Sequence, residues 1–134
     1  RAHSAERGMC VMRIYIAHPY TGDEARNRAR ALRAEEVLRR ATPWAEFFNP
    51  VGRLSESERF RQMLYVEAMD HCLRELAKCD GVVFCGDWSL SPGCRVEVQM
   101  AKRLQLPRWY GVDAYVRSWA LVARAAREME GALG

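Results

Sequence analysis

The sequence lacks several features that would assign it to a class. Its 134 residues include only three histidines, which are widely separated, so a metal cluster is not indicated. The five cysteines are odd in number and form no CxxC pair, which argues against a disulfide scaffold or a zinc site. No apolar run is long enough to cross a bilayer. We therefore expect a cytoplasmic protein with reduced core thiols, no metal, no cofactor and no membrane partner.

Glycine-rich phosphate motifs are also missing. The chain has neither a Walker A loop nor a GxGxxG fingerprint, so ATP-motor and dinucleotide-binding functions are not supported. The net charge is +4, and much of the excess comes from four arginines on one predicted helix. Because acidic residues follow them closely, we interpret these arginines as a solvated helix face and expect no nucleic-acid partner. They are Arg26, Arg28, Arg30 and Arg33.

Apolar runs alternate with stretches of helical periodicity along the chain. Predicted strands cover 11–17, 44–48, 81–85 and 106–110, and predicted helices cover 23–40, 58–78, 94–104 and 113–129. This order predicts an α/β fold, a three-layer flavodoxin-like or Rossmann-like domain with a parallel sheet of about four to five strands. Residues 11–134 are expected to form this single domain, and residues 1–10 a flexible tail or an artificial extension.

Two of the predicted helices carry apolar stripes that should face the sheet. The helix at 23–40 is expected to begin at an Asp23 cap. Its stripe is Ala31, Leu32, Ala34, Val37 and Leu38, and the stripe of the helix at 58–78 is Val66, Met69, Leu73 and Leu76.

Glu97 is the most informative residue of the segment 79–97, which runs from a buried strand through a polar turn into a helix. The carboxyl ends of parallel strands converge on a crevice, and the following helix offers its positive dipole end. Glu97 lies on the stripe that should face the sheet. We expect the helix N-terminus to favour its ionised form, as a nucleophile requires. The alternative is a dipole contact or a pairing with Arg95 or Lys102.

Asp70 is the second candidate carboxylate, at the edge of the buried stripe of the preceding helix. Its alternative role is a solvent-exposed ion pair with Arg74, four residues on. Asp70 and Glu97 belong to elements that flank the strand 81–85, so both are expected to approach one crevice. Asp80, at the start of that strand, is expected to pin the chain.

Polar loops follow two of the predicted strands at the same sheet edge. An aromatic side chain at 88 either stacks on a planar base or anchors the loop in the core. The serines and glycine that follow offer donors that suit a phosphate, although Ser-Pro-Gly is also an ordinary turn. His18 is either a general base or a hydrogen-bonded structural histidine. The candidate binding residues are His18, Pro19, Tyr20, Thr21 and Gly22 in the first loop, and Asp87, Trp88, Ser89, Ser91 and Gly93 in the second.

Several short motifs follow one another in a fixed order. They are Tyr15-Ile-Ala-His-Pro-Tyr-Thr-Gly22, Asn27, Phe48-Asn-Pro50, Met69-Asp70 with Leu76, Cys79-Asp80, and Gly86-Asp-Trp-Ser-Leu-Ser-Pro-Gly93 with Glu97 and Ala101. In order and spacing they resemble the nucleoside 2-deoxyribosyltransferase-like superfamily. The resemblance runs from Met12 to about Tyr110. It is greatest to small uncharacterised bacterial and phage members related to nucleoside 5′-monophosphate N-glycosidases.

The resemblance implies a flavodoxin-like or Rossmann-like fold and cleavage of an N-glycosidic bond. It implies that Glu97 is the nucleophile at the anomeric carbon and Asp70 the acid near the leaving base. Tyr15 would orient the nucleophile or the sugar, and the turn 19–22 would hold the 5′ end. Ser91 occupies the slot of a phosphate-binding serine in the 5′-monophosphate hydrolases, which favours a nucleotide substrate.

Two positions depart from the family pattern. His18 stands where relatives usually have glycine, and the loop 86–88 differs from that of the characterised hydrolases. A bulky side chain at position 18 would narrow or re-aim the phosphate turn.

We therefore expect an enzyme that displaces a base at C1′ through a covalent glycosyl-Glu97 intermediate. Water would resolve the intermediate in a hydrolase, and an acceptor base in a 2-deoxyribosyltransferase. The alternative is a non-catalytic nucleotide-binding or sensor domain. The last helix carries excess apolar surface in Tyr115, Val116, Trp119, Leu121, Val122 and Ala126, which indicates a homo-oligomer contact or packing on its own sheet.

Overall fold

The computed structural model describes residues 11–133, which contain one sheet of four parallel strands with helices on both faces. The strands are β1 (Arg13–Ala17), β2 (Glu46–Phe48), β3 (Gly81–Phe84) and β4 (Arg108–Tyr110). The α-helices are α1 (Glu24–Ala41), α2 (Glu58–Arg61), α3 (Tyr65–Leu76), α4 (Pro92–Arg103) and α5 (Val112–Leu133). A π-helical turn covers Pro50–Leu54 and a 3₁₀ turn covers Trp88–Leu90.

The strand order is β2-β1-β3-β4, and all three pairings are parallel. The chain moves to one side of β1 to form β2 and to the other side to form β3. A crevice opens at such a switch point, outside the carboxyl ends of the strands. The predicted three-layer Rossmann-like α/β architecture is confirmed, with four strands.

Side-chain alternation along the two central strands divides the core into two layers. Tyr15 and Val82 face α3 and α4, where they pack with Leu76 of α3 and Val98 of α4. Ile14, Ile16 and Val83 face the other side, where Leu38 of α1 and Tyr115 of α5 cover them. Because residues 14–17 of β1 and all of β3 are buried on both faces, these stretches are continuously apolar rather than alternating.

The buried stripe of α1 differs from the prediction. Asp23 caps the helix as expected, since its Oδ1 accepts the Arg26 N–H at 3.1 Å. Val37, however, is 38% exposed, and Glu35 takes its place on the stripe with Ala31 and Leu38.

Glu35 is a buried carboxylate held by three side chains. Arg39 and Arg53 donate to its Oε2 at 2.8 and 2.7 Å, and Asn49 donates to its Oε1 at 3.0 Å. Burial alone would raise the pKa of Glu35, but the hydrogen bonds from Arg53, Arg39 and Asn49 outweigh it and lower the pKa to about 2. This network ties the segment Pro50–Leu54 to α1.

The single helix predicted over 58–78 is wrong, because the chain forms α2 and α3 with an extended residue, Leu64, before α3. Glu67 accepts the Leu64 N–H at 3.1 Å, which satisfies a donor at the new helix start. The buried face of α3 also differs from the predicted stripe. Val66, predicted to face the core, is 68% exposed, and Cys72 and Leu76 are the residues of α3 that are buried.

Smaller expectations were also resolved by the structure. The Asp80 carboxylate accepts the Arg13 N–H at 2.8 Å, so it pins β3 to β1 as predicted. Four cysteines are free and buried, as expected of core thiols, while Cys10 and the predicted tail lie outside the described residues. Within residues 11–133, no helix combines the length and hydropathy needed to span a bilayer. The four cysteines are Cys72, Cys79, Cys85 and Cys94.

Helix α5 is divided between packed and exposed halves. Its first half packs on the sheet, where Tyr115 is fully buried and shares a 2.7 Å hydrogen bond with Thr42. From residue 121 to residue 132 every side chain is exposed, including Leu121 and Val122. Packing on the same subunit thus accounts for the first half only, and the homo-oligomer contact stays a prediction for the second half.

Candidate active site

A cavity of about 750 Å³ lies at the carboxyl ends of β1 and β3, at the switch point of the sheet. Small-molecule sites typically range over roughly 300–1,000 Å³, so this cavity has the size of a ligand pocket. Most of the predicted site residues line it: Tyr15, His18, Pro19, Tyr20, Thr21, Asp87, Ser91, Gly93 and Glu97. The other four, Gly22, Asp70, Trp88 and Ser89, do not.

Glu97 and Tyr15 form the centre of the cavity floor. Tyr15 is the third residue of β1 and Glu97 the sixth of α4, and the Tyr15 hydroxyl donates a hydrogen bond to Glu97 Oε2. Glu97 is only 6% exposed and Tyr15 is fully buried. Two elements far apart in the sequence therefore place a carboxylate and a phenol against each other inside the cavity wall.

The prediction that the environment of Glu97 favours its ionised form is wrong. Burial raises the pKa of Glu97 from 4.5 to about 7, and the hydrogen bond from Tyr15 lowers it only in part. The helix-dipole effect falls off within the first turn, and the sixth residue of α4 lies beyond that turn. Glu97 is therefore a carboxyl group that changes its charge near neutral pH. Its hydrogen-bond partner is Tyr15 rather than Arg95 or Lys102.

Cys72 of α3 is the third side chain of this cluster, and the sequence analysis treated it only as a core thiol. Burial raises its pKa to about 11, and a hydrogen bond with Tyr15 opposes that rise. The pKa of Tyr15 is also raised, first by burial and then by the charge of Glu97, so its hydroxyl keeps the proton that it donates. The cluster thus consists of one carboxyl group, one phenol and one thiol.

Asp70 is not part of the cluster. Its side chain is 61% exposed, and the Arg74 Nε donates to its Oδ2 at 2.8 Å. Of the two roles considered for Asp70, the structure therefore supports the solvent-exposed ion pair with Arg74. The expectation that Asp70 and Glu97 approach one crevice is wrong, because the residues of α3 that line the cavity include Met69 and Cys72 but not Asp70.

Trp88 anchors the loop after β3 instead of facing a ligand. The centroid of its ring lies 5.5 Å from the ring centroid of Phe84 and 5.2 Å from that of Tyr110. Ser89 is exposed and, like Trp88, lies outside the cavity wall. Of the two interpretations of position 88, the structure supports the core anchor.

Ser91 caps α4 at the edge of the cavity. Its Oγ accepts the Cys94 N–H at 3.3 Å, and Pro92 begins the helix. The Ser91 side chain also forms a hydrogen bond with Cys94 that opposes the larger effect of burial on the pKa of that thiol, and Gly93 lines the wall beside it. The segment is thus both an ordinary helix cap and a group of donors at a helix N-terminus, where an anion is favoured.

His18 is a structural histidine on the cavity wall. Its Nδ1 donates to the Pro19 carbonyl at 2.8 Å, so Nε2 carries the lone pair when the ring is neutral. Burial is the main cause of its lowered pKa. A Cβ at Gly86 would lie 3.1 Å from Nε2, and Gly86 has a φ of +60°, so a side chain there would be crowded and strained.

Asn27 and Arg30 of α1 border the turn that follows β1, and the sequence analysis gave neither a place in the site. The Asn27 amide donates to the Tyr20 carbonyl at 3.0 Å and so fixes the turn. Arg30 lines the cavity, and its charge contributes to lowering the pKa of His18. Within residues 11–133 no carboxylate oxygen lies within 4.0 Å of its guanidinium nitrogens. Their spacing on α1, three residues apart, is the signal that places both on one face.

Residues 12–110 match the model of a domain of unknown function, DUF4406. The match spans about three quarters of the chain. The chain belongs to the DUF4406 family. No curated protein matches it. The DUF4406 match runs from just before β1 to the end of β4, so it includes every residue of the cavity wall, whereas α5 lies beyond it.

Proposed function

We propose that this DUF4406 domain cleaves the N-glycosidic bond of a nucleoside or nucleoside 5′-monophosphate. The observation that carries the proposal is the buried Glu97 carboxyl group, hydrogen-bonded to Tyr15 at the floor of a ligand-sized cavity. The sequence motifs that resemble the nucleoside 2-deoxyribosyltransferase-like superfamily support the same function. That resemblance includes both residues of the pair.

Glu97 acts as the nucleophile in its ionised form. Its oxygen attacks C1′ as the bond to the base breaks, through a transition state with oxocarbenium character, and a glycosyl-Glu97 ester results. Tyr15 holds the attacking carboxylate in one orientation through its hydrogen bond. Water then attacks C1′ to give a hydrolase, or an acceptor base does so to give a transferase.

Groups from two sides of the cavity suit the 5′ end of the substrate. Arg30 of α1 supplies a positive charge, and Ser91 lies at the N-terminus of α4. The turn after β1 contributes the Thr21 side chain. These groups match a phosphate, which favours a nucleoside 5′-monophosphate over a free nucleoside.

Replacing Glu97 tests the proposal. Wild-type protein is incubated with a panel of nucleosides and their 5′-monophosphates, and released base is quantified by chromatography. Glu97→Gln keeps the shape of the side chain and removes the nucleophile, so base release should fall to background. Glu36→Gln, an exposed glutamate on α1, is the matched control and should keep full activity.

Mass spectrometry of the protein during turnover should detect a glycosyl adduct on Glu97. Full activity of the Glu97→Gln variant would remove the proposed mechanism. Nucleotide binding by calorimetry without base release or an adduct would instead assign the cavity to a non-catalytic binding or sensor domain.

A further inference from the structure

Glycosidases that form a covalent intermediate ordinarily use two carboxyl groups at the reacting bond, but of the two that line this cavity within residues 11–133 only Glu97 is buried, and Asp87 is exposed. The second carboxylic acid protonates the leaving group while the first attacks the sugar. Here Glu97 is buried against Tyr15, but Asp70 lies outside the cavity in its ion pair with Arg74. The α3 side chain that reaches Tyr15 is the thiol of Cys72.

The other groups of the floor are poor proton donors at neutral pH. Burial raises the pKa of Cys72 to about 11, and the pKa of Tyr15 is raised as well. His18 has a lowered pKa, and its Nδ1 proton is already donated to the Pro19 carbonyl. Asp87 is the other carboxylate on the cavity wall within residues 11–133, and it lies in the exposed loop after β3.

We propose that the substrate is an N-glycoside of a cationic pyridinium base, as in nicotinamide riboside and its 5′-monophosphate. The ring nitrogen of such a base is positively charged while it is bonded to C1′. It therefore accepts the electron pair of the broken bond and leaves as a neutral molecule, with no need for a proton donor. The proposal names a substrate class for the N-glycosidase function proposed above and rests on it.

The bond changes balance without any co-reactant except water. A Glu97 oxygen forms a bond to C1′, and the bond from C1′ to the pyridinium nitrogen breaks, with both electrons going to nitrogen. Neutral nicotinamide departs. Water then attacks C1′ and displaces the Glu97 carboxylate, and the proton lost by that water passes to solvent. Each turnover thus releases one nicotinamide, one free sugar or sugar phosphate, and one proton.

The charges on the cavity wall suit a substrate that is positive at one end and negative at the other. Glu97 lies on the α4 side of the cavity, and its carboxylate attracts a cationic ring. Arg30 approaches from α1, beside the turn that follows β1, and faces a phosphate.

A substrate panel with wild-type protein tests the proposal. Nicotinamide mononucleotide, AMP, IMP and CMP share ribose 5-phosphate and differ only in the base, and the matching free nucleosides form a second set. Protonation of a leaving group typically contributes about 100-fold or more to a rate. We expect kcat/KM for nicotinamide release to exceed that for any other base by at least about 100-fold. One proton should appear per nicotinamide in a weakly buffered assay.

The outcomes separate the two proposals. Release of adenine, hypoxanthine or cytosine as fast as nicotinamide would overturn the pyridinium proposal and leave the N-glycosidase function intact. Release of no base from any member of either set would overturn both. Nicotinamide release that persists in Glu97→Gln would overturn the covalent step.

A variant that restores a second carboxyl group provides an independent test. Cys72→Asp places an acid beside Tyr15, so the preference for nicotinamide mononucleotide over AMP should fall by about 10-fold or more. Cys72→Ser is the matched control and should keep the ratio. If Cys72→Asp does not fold, the wild-type panel decides. An Asp87→Asn variant that lowers AMP cleavage but not nicotinamide release would identify Asp87 as a donor and contradict the proposal.

Discussion

Tyr15→Phe should move the pH dependence of activity to higher pH. The substitution removes one hydroxyl from a fully buried ring and keeps its volume, so packing around β1 is preserved. That hydroxyl donates to Glu97 and opposes the effect of burial on its pKa. Without the Tyr15 hydroxyl, the effect of burial on the pKa of Glu97 is unopposed. The pKa of Glu97 should then rise further above its wild-type value of about 7.

The size of the shift follows from the strength of a hydrogen bond to a charged group. Such bonds contribute about 1.5–3 kcal/mol. Since one pKa unit corresponds to about 1.4 kcal/mol, the loss of the Tyr15 hydroxyl should raise the pKa of Glu97 by roughly 1–2 units. The proposed nucleophile must be ionised, so base release should require a correspondingly more alkaline solution in the variant than in the wild type.

The assay is kcat/KM for base release measured from pH 5 to pH 10, because its acidic limb reports the free enzyme. Tyr110→Phe is the matched control, since Tyr110 stacks on Phe84 and packs against Trp88 outside the cavity, so the substitution should leave the acidic limb in place. A ¹³C NMR titration of the Glu97 carboxyl group measures the same shift without substrate. If the acidic limb of Tyr15→Phe lies at the same pH as that of the wild type, or at a lower pH, the reasoning is refuted.

Three further predictions concern stability and assembly. Burial raises the pKa of Glu97 in the folded protein, so the free energy of unfolding of the wild type should fall as pH rises from about 4.5 to 7. Urea unfolding should show that the stability of Glu97→Gln relative to wild type increases by up to about 3 kcal/mol across that interval. Its hydrogen bonds lower the pKa of Glu35 in the folded protein to about 2, so its contribution to stability is complete above pH 4.5 and is lost as pH falls toward 2. Glu35→Gln should lower the free energy of unfolding by about 2 kcal/mol at pH 7, and the difference in stability from wild type should become smaller below pH 4. The exposed half of α5 is predicted to form a homo-oligomer contact, so Leu121→Glu with Val122→Glu should lower the mass measured by light scattering, and a wild-type monomer at high micromolar concentration would contradict the contact.

The sheet and the place of the site were predictable because local signals carry them. β3 is apolar at every position and β1 at every position after Arg13, since both of their faces are covered, and the alternation of strands with helices implies parallel pairing. Parallel pairing brings the ends of β1 and β3 to one edge. The relationship of Tyr15 to Glu97, 82 residues apart, could thus be inferred from the order of elements together with the family resemblance.

The second carboxylate was mispredicted because the sequence does not show which face of α3 is buried. The break between α2 and α3 contains no proline or glycine, so the apolar pattern can be followed through it as one helix. The predicted stripe nevertheless lies wholly within α3, so the break does not alter its spacing. The inward face is set by Cys72 and Leu76, and Asp70 turns to solvent. Which face of α3 is buried depends on tertiary packing.

Glu35 was missed for a different reason. Its burial depends on Asn49 and Arg53, which belong to a separate segment of the chain. A carboxylate on a helix stripe is ordinarily assigned to the surface, because burying it without partners costs several kcal/mol. Nothing local in the sequence identifies partners that lie 14 and 18 residues away.

The thiol at Cys72 and the ionisation of Glu97 are physically connected. Burial already raises the pKa of Glu97 to about 7, and a second ionised carboxylate beside Tyr15 would raise it further, because like charges disfavour each other's ionisation. A neutral thiol avoids that effect. One buried carboxyl group can then serve as the proposed nucleophile near neutral pH, with no second buried carboxyl group beside it to assist the leaving group. In the proposed reaction, the thiol at Cys72 therefore keeps Glu97 ionisable and favours bases that depart without a proton.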